Sequence, residues 1–167
     1  MSNGEVTEDG LLGEEDRGFG ALSGTLDAGN AHLAAEILGI AQESFDRTLQ
    51  YMKERKQFGA LIGSFQALQH RTAHWWSEIE MCKSVVLKVL QSLDEGDVKA
   101  PALASIAKAK LCEVAELSTN EAIQLHGGIG MTDEYEIGFF IKRARPAQML
   151  FGDYNYHANR FALISGY

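Results

Sequence analysis

The sequence predicts an all-α domain, an antiparallel four-helix bundle behind an irregular N-terminal linker. Apolar residues recur at three- and four-residue steps over stretches far longer than a strand. Glycine, proline and acidic clusters punctuate those stretches into four helical regions, and no alternating strand pattern appears beyond the first few residues. A chain of 167 residues, 46% of them hydrophobic, has enough apolar material to bury one core.

Residues 1–23 are glycine-rich and acidic, a composition that favours an irregular linker over a packed helix, which leaves 24–167 as the bundle. From Thr25 to Glu54, the residues Leu33, Ile37, Ala41, Phe45, Leu49 and Met52 trace one helix face, and Phe58-Gly59 closes the helix with a C-cap glycine. The second region carries the clearest pattern. Phe65, Leu68, Thr72, Trp75, Ile79, Cys82, Val86, Val89 and Leu93 alternate steps of three and four, as a bundle seam requires. Asp94-Glu95-Gly96-Asp97 ends it. Pro101 suits the first turn of a third helix, where a missing N–H costs nothing, and Leu103, Ala107, Leu111, Val114, Ala122 and Leu125 give its stripe up to the Gly127-Gly128 stop. A fourth region starts at Thr132 or Asp133 as N-cap, with Glu136 completing a capping arrangement. Its inner face is Phe140, Ala144, Ala147 and Phe151, and Gly152-Asp153 interrupts it before a last helix around His157 to Ile164.

Charge and composition narrow the function. The formal charge is −8, but the first sixteen residues hold six acids and no base, so the rest is nearly neutral and has no basic stripe for a nucleic-acid backbone. No stretch is long and apolar enough to span a membrane, and the N-terminus lacks the pattern of a signal peptide, so a cytoplasmic protein is expected. Cys82 and Cys112 sit among apolar helical residues and read as core thiols. His70, His74 and Glu78 lie four apart on one helix face. The acid that metalloproteases place between two such histidines is missing, and no metal is expected.

Two constellations can carry chemistry. Arg55-Lys56-Gln57-Phe58-Gly59 offers a guanidinium fork, an amide and an aromatic ring within a few residues, a set able to hold a pyrophosphate while the ring covers a flat group. The same residues also suit a basic helix C-terminus that complements the macrodipole. Gln124-Leu125-His126-Gly127-Gly128-Ile129-Gly130 has glycines that follow a helix, so it is no P-loop. Its glycines permit a flat ligand or another chain to approach the backbone closely, and they equally suit a plain C-cap.

Taken together, ERKQFG at the end of a long helix, Gln66 seven residues beyond Gly59, and QLHGGIGMTDEY closing a third helix resemble acyl-CoA dehydrogenases. The resemblance runs from about Glu5 to Phe161, and the opening GEVTEDGLLGEEDRGFGAL is similar to the family's passage from its middle β-domain into its C-terminal bundle. It implies that the chain is that bundle, without the N-terminal helical and middle β-domains. It implies FAD as cofactor: Arg55 on the pyrophosphate, Phe58 packed on the adenosine, Gln66 bonding nearby, Gln124, Leu125, His126, Gly127 and Gly128 as an adenosine cradle, and Gln57 among the cofactor-binding residues. It further implies α,β-dehydrogenation of an acyl-CoA, with substrate bound only alongside the missing domains or a partner chain, and a homo- or hetero-oligomer, dimer or tetramer.

The family's base departs. Its glutamate precedes a Gly-Thr pair where this sequence reads Phe151-Gly152-Asp153, and a second family location falls at Gly29-Asn30. Neither supplies a carboxylate, so no catalytic residue is assigned. Asp153 and Glu36 are the nearest substitutes, and both also read as ordinary cap or surface acids. Intact flavin contacts without a base resemble one subunit of the heteromeric acyl-CoA dehydrogenases. The competing class is a helical assembly module with no flavin role.

Overall fold

A computed structural model describes residue 10 and residues 13–167, so residues 1–9, 11 and 12 of the expected linker lie outside the described residues. The architecture is an all-α bundle. Among the described residues five α-helices run α1 (Gly18–Glu54), α2 (Gln66–Asp94), α3 (Ala100–His126), α4 (Ile137–Met149) and α5 (Tyr154–Ser165), the last two sharing the fourth helical region of the sequence. Helix α1 starts at Gly18, inside the stretch expected to be linker. Its first three turns expose Phe19 and Leu22, so no buried stripe announces them.

The periodicity identifies the core. Leu33, Ile37, Ala41, Phe45 and Met52 of α1 are buried against Thr72, Trp75, Ile79, Cys82, Val86 and Val89 of α2 and Ala107, Leu111, Val114, Ala122 and Leu125 of α3. Small residues let α1 and α3 approach: Ala31, Ala34 and Ala41 on one, Ala104, Ala107, Ala115 and Ala122 on the other, all fully or almost fully buried. Trp75 fills the space this leaves beside α2, edge-on to Phe45 at 5.0 Å, and its Nε1–H donates to Ser118 Oγ at 2.7 Å. Pro101 stands in the first turn of α3 as the sequence requires.

Three local expectations are corrected. Helix α1 ends at Glu54, before Phe58-Gly59, and those two residues form the tip of a two-stranded hairpin, β1 (Lys56–Gln57) and β2 (Ala60–Leu61), with φ of 55° and 78°. Two consecutive positive φ values define a type I′ turn, whose twist matches that of the paired strands. Thr132, Asp133 and Glu136 do not cap α4 through their side chains, because each is bonded elsewhere. Thr132 Oγ1 donates back to Ile129 O at 2.8 Å, Asp133 accepts from Lys142 and Glu136 from Arg47. Phe151 is 44% exposed in a turn at φ 59°, and only Ala144 and Ala147 of the expected inner face are fully buried.

Candidate functional site

The α1 C-terminus, the hairpin, the start of α2 and the end of α3 enclose a cleft of about 310 Å³ at one end of the bundle. Arg55, Gln57 and Phe58 line one wall and Gln124, Leu125, His126, Gly127 and Gly128 the other, so eight of the nine residues expected at a cofactor site meet there. Gln66 does not. It opens α2, is exposed, and is not part of the lining.

Each wall has a local cause. Arg55 leaves the helix in an extended conformation while its N–H still bonds Tyr51 O at 2.8 Å, which ties the hairpin root to α1. The type I′ turn then presents the Phe58 ring, 94% exposed, with its centroid 6.3 Å from that of Phe65. A bulky residue at positive φ costs of order 1–3 kcal/mol, and such strain persists where its surroundings fix it. On the opposite wall α3 passes into a 3₁₀ turn, Gly127–Met131. A Cβ at Gly130 would stand 2.8 Å from Ile123 O and 3.1 Å from His126 Cβ, so glycine allows this turn to fold back on its own helix.

His126 joins the two walls. Its ring stacks on Tyr51 at 4.3 Å and lies 4.9 Å from Tyr135, while Tyr51 Oη donates to His126 O at 3.4 Å. Nδ1 lies 2.7 Å from Ala122 O, so this nitrogen carries the proton and donates, which leaves Nε2 as a buried lone pair with no protein partner. Burial holds its pKa below the ordinary histidine value despite the raising effect of the Ala122 bond, and the imidazole is neutral near pH 7.

Tyr51, Ile62, Phe65, Leu68 and Arg71 also line the cleft, and the sequence did not mark them as site residues. Phe65 and Leu68 carried a signal, but one indistinguishable from core seam. Arg71 carried none, because its partner Glu121 lies fifty residues away and is reached only through the packing of α2 on α3. His70 and His74 are exposed and Glu78 pairs with Lys110 at 2.6 Å; among the described residues no cluster of three metal-ligating side chains forms. Cys82 and Cys112 are buried free thiols, and desolvation pushes Cys82 up to about 11.

At the other end of the bundle the ring of Phe151 rests on Gly29, with Cε2 3.1 Å from where a Cβ would be. Residues 150–153 are pinned from below: the Lys108 ammonium, fully buried, donates to Gln148 O at 2.9 Å and Gly152 O at 2.7 Å, and His157 Nε2 lies 3.1 Å from Phe151 O. Asp153 caps α5 by accepting from Tyr156 N at 2.9 Å, and Glu36 is paired with Arg143 at 2.6 Å.

The fold is an all-α bundle with an amide-, arginine- and aromatic-lined cleft at one end. The chain belongs to the acyl-CoA dehydrogenase family: residues 16–163 match the family described as acyl-CoA dehydrogenase, C-terminal domain. It is similar to the short/branched chain specific acyl-CoA dehydrogenase of Rattus norvegicus mitochondria, 35% identical over 164 residues that make up 97% of this chain and 37% of that protein. The fold matches butyryl-CoA dehydrogenase from Megasphaera elsdenii with a TM-score of 0.92 and 31% identity, covering 96% of this chain and 42% of the other. It also matches a steroid ACAD, Tcur3481-Tcur3483, with a TM-score of 0.83 and 32% identity over 87% of this chain and 40% of that one. The chain therefore spans well under half the length of these relatives. Among the described residues no helix is long and apolar enough to cross a membrane.

Proposed function

We propose that this chain is the C-terminal domain of an FAD-dependent acyl-CoA dehydrogenase and that its terminal cleft takes the adenosine and pyrophosphate half of the dinucleotide. One observation carries the reading: the Arg55–Phe58 arm of the hairpin and the Gln124–Gly128 segment at the end of α3, far apart in sequence, line a single cleft. The donor set fits the group. Arg55 is exposed and makes no ion pair among the described residues, leaving its fork for phosphate oxygens. Gln57 and Gln124 supply amides, the Phe58 ring stands free to cover a flat base, and the exposed Gly127-Gly128 backbone allows close approach. The flavin, when bound, supplies the hydride acceptor for α,β-dehydrogenation of an acyl-CoA thioester.

The chain supplies no carboxylate base at the two family positions, since Phe151 and Gly29 occupy them in mutual contact. Asp153 is committed to its cap and Glu36 to Arg143. The base in this reading comes from a partner chain within a homo- or hetero-oligomer, and the match to a steroid ACAD named by two components supports the heteromeric form. The exposed Phe19, Leu22, Leu163 and Ile164 beside that end give a partner or a missing domain an apolar surface to cover. The same features support the second reading, a partner subunit that assembles without turning over substrate.

Fluorescence polarisation of FAD on addition of the chain, with Arg55→Ala as control, tests the proposal. Binding weakened about 10-fold or more by the substitution is expected, since a bidentate charge-assisted contact contributes roughly 1.5–3 kcal/mol. Absence of binding, alone and with the partner chain, leaves the assembly module. The isolated chain is expected to give no acyl-CoA turnover with an artificial electron acceptor.

A further inference from the structure

We propose that Arg71 is a second phosphate-binding residue of the terminal cleft, aimed by Glu121 and acting beside Arg55. The inference rests on the dinucleotide reading above and adds to it which phosphates the cleft distinguishes.

Arg71 stands on α2, reaches Glu121 of α3, and lines the cleft. Glu121 holds it side-on: Nε donates to Oε2 at 2.8 Å and Nη2 to Oε1 at 2.9 Å. That geometry consumes the Nε–H and one N–H of Nη2. The remaining Nη1 and Nη2 hydrogens form the end-on edge of the guanidinium, two parallel donors whose spacing matches two oxygens of a phosphate, and among the described residues no other acceptor engages them. Glu121 is the more buried partner, 17% against 43% exposed, and is not in the cleft lining, so the fork meets the cleft while its counter-charge sits behind it. Orientation by a fixed carboxylate reduces the side-chain entropy that a free arginine would lose on binding.

The cleft calls for donors more than for charge, since the charge of Arg71 is balanced by Glu121. Helices α1 and α3 both end there, and a helix C-terminus carries about half a negative charge. Arg55 alone does little more than offset two such ends, whereas a doubly phosphorylated ligand needs further donors. An arginine present only to bridge α2 and α3 would leave ligand affinity untouched when replaced.

Isothermal titration of the full chain with adenosine, AMP and ADP separates these roles. The wild type is expected to bind ADP more tightly than AMP, and AMP more tightly than adenosine. Arg71→Met is expected to weaken ADP about tenfold, AMP less, and adenosine not at all, with the helical signal and melting temperature retained. Arg71→Lys, which keeps the charge without the fork, is expected to recover only part of the ADP affinity. Unchanged ADP affinity in Arg71→Met overturns the proposal in favour of a structural ion pair. Equal weakening of all three ligands overturns it too, by placing the contact on the nucleoside. A wild type that binds none of them, alone and with the partner chain, removes the dinucleotide reading itself.

Discussion

Replacing Gly130 with alanine is expected to loosen the wall of the cleft that carries the diglycine turn. The added Cβ would lie 2.8 Å from Ile123 O and 3.1 Å from His126 Cβ, and both are fixed: one is backbone inside α3, the other carries a ring held between Tyr51 and Tyr135. Neither can retreat as a flexible side-chain end would, so the turn itself has to shift. Overpacking of this kind costs about 1–3 kcal/mol. For a domain of this size about 2 kcal/mol corresponds to a fall of roughly 4–8 °C in melting temperature. Gly128→Ala is the matched control two residues away, since nothing stands within 4 Å of its Cβ and its φ is not positive. There alanine is expected to be neutral or to stabilise by up to about 0.5 kcal/mol through the unfolded state. Urea unfolding followed by circular dichroism measures both, and titration of folded Gly130→Ala with ADP reads the displaced wall as weakened binding. Equal stability of Gly130→Ala and wild type, or an equal loss in Gly128→Ala, would refute the steric account of the turn.

Three further outcomes follow from the packing. Trp75→Phe is expected to cost about 2–4 kcal/mol by opening space and orphaning Ser118 Oγ; Ser118→Ala costs about 1–3 kcal/mol, and the double variant falls short of their sum by roughly 1 kcal/mol in a denaturation cycle, whereas strict additivity would show that the bond contributes nothing. Burial, the leading cause, lowers the pKa of both His126 and His157 in the fold, so the unfolded chain binds more protons below its value of about 6.5. Stability from these residues is therefore complete above about pH 6.5 and lost as pH falls from there through the lower folded values; a melting temperature flat from pH 7 to 5 would contradict this. Gly29→Ala gains about 1 kcal/mol of helix propensity but drives a methyl into the Phe151 ring, so the full gain is expected only in a Phe151→Ala background, and equal effects in both backgrounds would exclude the contact.

Much of the fold was legible because its cause is local. The α2 seam, from Thr72 through Trp75, Ile79 and Cys82 to Val89, is a pattern of apolar spacing that any bundle must bury, and those residues are buried. Capping was less legible, since Thr132, Asp133 and Glu136 have the side chains of a capping arrangement but are drawn to Ile129 O, Lys142 and Arg47. Residues 58 and 59 presented a similar ambiguity: glycine at positive φ ends a helix or turns a hairpin, and the pairing of Lys56 with Leu61 chose the hairpin.

By itself the sequence determined an all-helical chain with four apolar stripes, the absence of a carboxylate at residues 29 and 151, and two short polar motifs of open meaning. Tertiary structure alone decided that the motifs wall one cleft, that Gln66 stays outside it, and that Arg71 joins it with a carboxylate fifty residues away. The division is physical: periodicity and backbone preference act within a few residues, whereas the meeting of two helix ends depends on how closely alanine faces on α1 and α3 let the whole helices pack.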